Sequence, residues 1–328
     1  MGPGKSSRKH FTQRRGRVNG DSETGRALMS AKQRGFTLVE LLVTLAISSA
    51  LVAVLGQILL QSRQTYKTQQ TLSHMMEDGR YILEVLTKEA RRIGFLRNRF
   101  ATPVPGSAVG SAATVFLADN DMLGSGIDLP AGAFIGGDYD PNGFNGTYDV
   151  NKLVFRYQLN DAIELSAAST NYSPCTRDIG LDAGEDPTMA IHVISIYLYV
   201  ALDNNTPTLY CTAKREIVDV TTGAANPVKL SVQKPLLSNV ERFLVLYGVD
   251  TDADAAANVY LRADGVQNGG NWMNIVSIRL YLVLSSGERN IAQGNPTYLI
   301  DGQSIIPDVP ADRRLYRVFS TTITSRNF

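Results

Sequence analysis

The stretch R34-GFTLVELLVTLAISSALVAVLGQILLQS-R63 holds a run of 25 residues, Phe36 to Leu60, uncharged throughout except for a single acid, Glu40. At about 1.5 Å per residue such a run makes a helix of about 37 Å, longer than a hydrocarbon core of about 30 Å. Residues 1–35 carry nine Lys and Arg against Asp21 and Glu23, whereas residues 61–80 hold only Arg63, Lys67 and Arg80. The positive-inside rule therefore keeps the N-terminus in the cytoplasm and sends the rest across. An ordinary secretory signal would be shorter and would place its small-residue cleavage site after the apolar run. Here the good small residue, Gly35, precedes it. Cutting there retains the hydrophobic segment and makes Glu40 the fifth residue of the chain.

A carboxylate in a membrane helix costs about 2.5–3.5 kcal/mol at the centre and less near an end. A buried acid that persists is ordinarily paired. The nearest base, Arg34, would leave with the leader, so the remaining candidate is an α-amino group, that of Phe36 itself or of a neighbouring subunit. The alternative is an acid snorkelling at the interface of a simple single-pass anchor.

Past Leu60 the polarity changes but the helical period continues. Leu72, Met75, Gly79, Ile82, Leu86, Ala90 and Ile93 recur at spacings of three and four. No proline lies between residues 36 and 102, so one helix is expected from Phe36 to Ile93, stopped near Gly94, with Gly56 its weak point. Residues 97–150 read as loop, with one strand near Thr114–Ala118. Beyond Lys152 the period becomes two. KLVFRYQL is a strand; IHVISIYLYVAL places Ile194, Ile196, Leu198, Val200 and Leu202 on one face; MNIVSIRLYLVLS does the same with Val276, Ile278, Leu280, Leu282 and Leu284. An aliphatic face opposite a mixed one predicts half-buried antiparallel strands. Further strands are expected at Thr208–Lys214, Val240–Val249, Val259–Ala263 and Arg314–Thr324. The fold class is α+β, a long N-terminal helix, membrane-spanning in its first half, packed on an antiparallel sheet.

Basic leader, Gly35, then Phe36-Thr37-Leu38-Val39-Glu40-Leu41-Leu42 resembles the class III signal of type IV pilins and type II secretion pseudopilins. EDGRYILEVLTKEARRIGFL (Glu77–Leu96), Leu209–Cys211, NVERFLVLYGVDTDADAAANVYL (Asn239–Leu261) and YRVFSTTITSRN (Tyr316–Asn327) look like the PilW family of minor type IV pilins. The resemblance implies cleavage between Gly35 and Phe36 by a prepilin peptidase, N-methylation of Phe36, and pairing of Glu40 with the Phe36 amine of an adjacent subunit. It divides the chain into a leader 1–35, a membrane and filament-core helix 36–60, its amphipathic continuation 61–96 and a β-rich head 97–328. Met29 would give a leader of the usual short form.

The function so implied is structural: a subunit stored in the bacterial inner membrane, N-terminus cytoplasmic and head periplasmic, then drawn to the cell surface to prime a pilus and stand at its tip. Its partners would be other minor pilins, the major pilin and the inner-membrane assembly platform, with an adhesin at the tip as a further one. A type II secretion pseudopilin, or an adhesin on a pilin-type anchor, are the rival readings.

Cys175 and Cys211 lie beyond the apolar segment. If that part is exported they form a disulfide closing about 36 residues, worth roughly 3–4 kcal/mol; otherwise they are two buried thiols. The three histidines, His10, His74 and His192, sit in no nucleophile–base pattern, and no phosphate loop or zinc motif occurs, so an enzyme is not expected. Asp138, Asp140, Asn142, Phe144 and Asp149 fit the spacing of a calcium loop, though an Asp stands where a bidentate Glu is usual; the same residues suit an ordinary turn cluster. The run Asp250, Asp252, Asp254 is a poorer version, with Ala255 in the glycine position. Residues 101–328 hold fifteen Lys and Arg against twenty-four Asp and Glu, which argues against nucleic acid as a partner.

Overall fold

The computed structural model describes residues 35–96, 115–140, 150–159, 173–180, 191–219, 224–307 and 309–324. The chain divides into two compact units, Met1–Leu59 and Leu60–Phe328. In both, helix α1 (Leu38–Ala90) is the first element.

In the first unit every described side chain is exposed, from Phe36 at 80% through Leu51 at 59% to Leu59 at 55%. An eighteen-residue window of α1 is apolar enough to cross a membrane, and none of it is buried within the chain. The few hydroxyls fit such a medium. Thr44 donates to the Leu41 carbonyl at 2.9 Å and Ser49 to that of Ala46 at 2.8 Å, so neither donor needs water. The helix continues through Gly56 without a break in its pattern.

In the second unit α1 becomes amphipathic. Met75, Gly79, Ile82, Leu86 and Ala90 are buried, the expected stripe at spacings of four and three. The helix stops at Ala90 and the chain turns at Gly94, whose φ of +71° and close approach to the Phe134 ring both demand glycine. The Gly94 amide donates to the Arg156 carbonyl at 3.0 Å, handing the chain over to the sheet.

The sheet has ten strands: β1 (Ile135–Asp140), β2 (Val150–Gln158), β3 (Ile191–Asp203), β4 (Thr206–Asp219), β5 (Ala224–Leu230), β6 (Lys234–Ser238), β7 (Val240–Val249), β8 (Val259–Leu261), β9 (Ile275–Ser285) and β12 (Tyr316–Thr324). Its main order is β12-β9-β7-β2-β3-β4-β5, with β1 added to β2, β6 to β4 and β8 to β7. Among the described residues all pairings are antiparallel except one parallel point, Val150 opposite Phe243. β3 and β4 form a long hairpin turned by Asn204 and Asn205, both at positive φ, as a two-residue turn requires. A short hairpin, β10 (Tyr298–Ile300) and β11 (Gln303–Ile305), stands apart, and helix α2 (Ala263–Gly269) links β8 to β9.

The aliphatic faces read from sequence line the main core: Ile194, Ile196, Leu198 and Val200 of β3 and Ile278, Leu280, Leu282 and Leu284 of β9 join Ile82, Leu86 and Ala90 of α1. Two expectations are corrected. The second face of the sheet is not simply half-exposed. Met122, Ile127, Leu129 and Ala133 cover Val154 and Tyr197, and the β10–β11 hairpin lays Tyr298 and Ile300 over Leu244, Leu246, Tyr281 and Val283. The strand expected near Thr114–Ala118 is absent from its described part, 115–118. Val115, in helical backbone, and Phe116, in a bend, are buried there, and among the described residues this stretch forms only the isolated bridge Asp119–Leu129.

Candidate functional site

Gly35, Phe36 and Glu40 lie together at the start of α1. Thr37 opens the helix: its hydroxyl accepts the Glu40 amide at 3.2 Å, and its carbonyl accepts the Leu41 amide at 3.1 Å. This cap uses the backbone of Glu40, not its side chain. Among the described residues no group pairs with the Glu40 carboxylate, which sits at the exposed head of a largely apolar surface whose other residues to Leu60 are uncharged. Among the described residues nothing lies within 4 Å of where a Cβ on Gly35 would stand, its chain neighbours aside.

In the second unit Cys175 and Cys211 form the expected disulfide, with Cα atoms 5.7 Å apart. It ties residues 173–180 to β4 in the core. The same segment is held by Asp178 against Lys234 at 2.6 Å, and by the Gly180 carbonyl, which accepts from Lys229 at 2.8 Å and Arg215 at 3.3 Å.

Of the residues with calcium-loop spacing, Asp138 and Asp140 end β1, while Asn142, Phe144 and Asp149 lie outside the described residues. Asp138 is partnered by Lys152 at 3.4 Å. The carboxylates of Asp250, Asp252 and Asp254 converge to within 4.8 Å. Asp250 has a structural task there: it accepts the amides of Asp252, Ala253 and Ala255 at 3.1, 2.7 and 2.8 Å. Desolvation pushes its carboxyl up, but these bonds, led by Ala255, outweigh it and hold the group below its ordinary range.

Two features escaped the sequence reading. Arg156, fully buried on β2, donates to the Leu117 carbonyl at 2.5 Å, to Pro130 at 3.4 Å and twice to Ala133, which roofs the second face of the sheet with residues 115–134. Burial pulls its pKa down to about 10, with Asp119 and Glu216 opposing, and it is still charged at neutral pH. The second feature is a cavity of about 380 Å³ between β1, the turn Gly126–Asp128 and α2. Beside it lies Tyr247, whose hydroxyl is buried and has no hydrogen-bond partner among the described residues. Leaving such a group unmatched costs roughly 1–3 kcal/mol. Burial raises the Tyr247 pKa far above its ordinary value and Asp138 adds to the effect, so the hydroxyl keeps its proton and is a donor.

The described chain thus has an exposed apolar helix with one acid at its head, followed by a disulfide-bonded, largely antiparallel sheet. Residues 30–56 match the prokaryotic N-terminal methylation motif. Residues 196–327, from β3 through β12, match the family of the Type IV Pilus-assembly protein W. The two matches support a PilW-type chain with a class III pilin signal and a minor pilin-like role. No curated protein and no solved structure matches the chain.

Proposed function

We propose that this chain is a minor pilin that primes assembly of a type IV pilus and stands at or near its tip. A prepilin peptidase cuts between Gly35 and Phe36, and Phe36 is N-methylated. Before assembly the subunit waits in the inner membrane with its head in the periplasm; the assembly platform then lifts it to join other minor pilins and the major pilin. One observation carries this reading: the apolar surface of residues 36–59, exposed along its length, starts directly after Gly35 within the match to a methylation motif and carries its single acid at the fifth position. An acid in that place is costly in lipid and is satisfied beside a neighbour's new amino group. A head as large as residues 97–328 is easiest to accommodate where no subunit stands above it. The match over residues 196–327 favours the pilus over a type II secretion pseudopilin.

Mass spectrometry of the mature N-terminus tests the proposal directly. A methylated Phe36 is expected; a retained leader overturns it. Calcium at Asp138–Asp149 is a separate proposal, tested by melting the chain with calcium and with chelator; equal melting temperatures remove it.

A further inference from the structure

β1 pairs with β2 from Ile135 to Asp140 and, among the described residues, with no other strand, so its outer edge is unpaired. The 380 Å³ cavity is lined by β1, by the turn Gly126–Asp128 and by α2. Gly136 and Gly137 line this edge, so backbone rather than side chain borders the opening.

The remaining walls are polar. Asp264 supplies acceptors, as do Asp128, one oxygen of which already takes the Asp121 amide at 2.8 Å, and Asp138, which is shared with Lys152 at 3.4 Å; Gln267 and Asn268 supply amides, and Trp272 supplies a flat ring. The Trp272 ring is fixed: its Nε1 donates to Gln267 Oε1 at 2.6 Å, and it packs edge-on against Tyr247 with centroids 5.0 Å apart. That bond leaves the Gln267 NH₂ as a donor. Behind Gly137 lies the unmatched Tyr247 hydroxyl, in the space that a Cβ on residue 137 would take.

From this juxtaposition of dispersed carboxylates, amide donors, a bare strand edge and a clamped indole, we propose that the cavity binds a neutral saccharide. Anions are disfavoured, because no Lys or Arg lines the cavity and three carboxylates do. A single metal ion is disfavoured, because these three carboxylates do not converge as those of Asp250, Asp252 and Asp254 do among the described residues. An ammonium group would use the acceptors but leave the amide donors of Gln267 and Asn268 idle. A sugar ring uses both: its hydroxyls donate to carboxylates and accept from amides, and its C–H face lies on an aromatic ring. The volume suits one or two pyranose units. The proposal does not depend on the pilus reading and would stand if that failed.

Trp272 is the chain's one tryptophan, so its emission reports on this cavity without labelling. The full chain, held in phospholipid nanodiscs to avoid glycoside detergents, is titrated with glucose, galactose, N-acetylglucosamine and their neutral oligomers. Calcium chloride and lysine methyl ester are the control ligands. A saturable change in emission with at least one saccharide is expected, with matching heat by calorimetry. Asp264→Asn and Gln267→Ala, both at exposed positions of α2, are expected to weaken it at least about tenfold, the equivalent of 1.4 kcal/mol, at unchanged melting temperature. Flat emission and flat heat for every saccharide overturn the proposal, as does a response confined to calcium or the amine.

Discussion

A Cβ placed on Gly79 of α1 would fall inside the ring of Phe319 on β12. The missing side chain is what lets the amphipathic half of the helix settle on the edge strand of the sheet. Gly79→Ala gains about 0.5–1 kcal/mol of helix propensity and forces the ring out, a repacking that costs roughly 1–3 kcal/mol. A net fall in melting temperature is expected. In the double variant Gly79→Ala/Phe319→Ala the clash is gone, so it should melt no lower than Phe319→Ala alone. Additive losses would show that the two residues do not share this space.

The disulfide gives a prediction with a local readout. Replacing Cys175 and Cys211 by Ser removes a link across 36 residues, which on the chain-entropy model costs roughly 3–4 kcal/mol. The segment 173–180 keeps its pairing of Asp178 with Lys234 and its carbonyl at Gly180, so it should loosen rather than detach. Limited proteolysis of the double Ser variant is expected to cut first within or beside residues 173–180. Cleavage elsewhere, with this segment protected, would contradict that order of events.

Arg156→Ala should unroof one face of the sheet. It strands the carbonyls of Leu117, Pro130 and Ala133, and a loss of about 3 kcal/mol or more is expected. Arg156→Lys should recover little, because an ammonium lacks the planar fork that reaches several carbonyls at once. Hydrogen exchange is the measurement: amides in 115–134 should speed up far more than those in β9.

Asp250 predicts a pH dependence. Its carboxylate holds Ala253 and Ala255 at φ of +63° and +65°, a conformation that alanine otherwise avoids. The folded-state pKa is depressed, so this stabilisation is complete above the unfolded value and fades as pH falls through the folded one. The protection of the Ala253 and Ala255 amides, measured against intrinsic exchange at each pH, should fall on acidification in the wild type. In Asp250→Asn it should be lower at neutral pH and depend less on pH.

How much of this was legible follows from what kind of signal each part leaves. α1, β7 and β9 left periodic runs, and the β7 expectation of Val240–Val249 is met to the residue. The roofing of the sheet left none. Tyr197 and Val283 sit on faces that look mixed in sequence, and their covers come from Met122–Ala133 and from β10–β11, joined to them only by the fold. Arg156 reads as an outward charge in an alternating strand until its carbonyl partners are seen. The cavity is assembled from two distant segments, residues 126–138 and 263–272, so no local spacing could mark it. The disulfide and the Gly35–Glu40 motif were legible because each rests on residue type and order alone.

Glu40 carries the last prediction. The Thr37 cap binds its backbone amide, and its carboxylate has no partner among the described residues, so Glu40→Ala removes nothing that the chain itself uses. Helix formation and membrane insertion should be normal or slightly improved, since an acid leaves an apolar segment. If the carboxylate is satisfied by a neighbour's amino terminus in the filament, its loss is felt only between subunits. Surface piliation should then fall at least about tenfold, the equivalent of 1.4 kcal/mol, at unchanged protein level in the membrane fraction. Glu40→Gln, which keeps the size and loses the charge, should be as impaired as Glu40→Ala, while Glu40→Asp should retain part of the activity. Full piliation by the Ala or the Gln variant would remove the pairing role and leave the acid as an interfacial residue of an ordinary anchor.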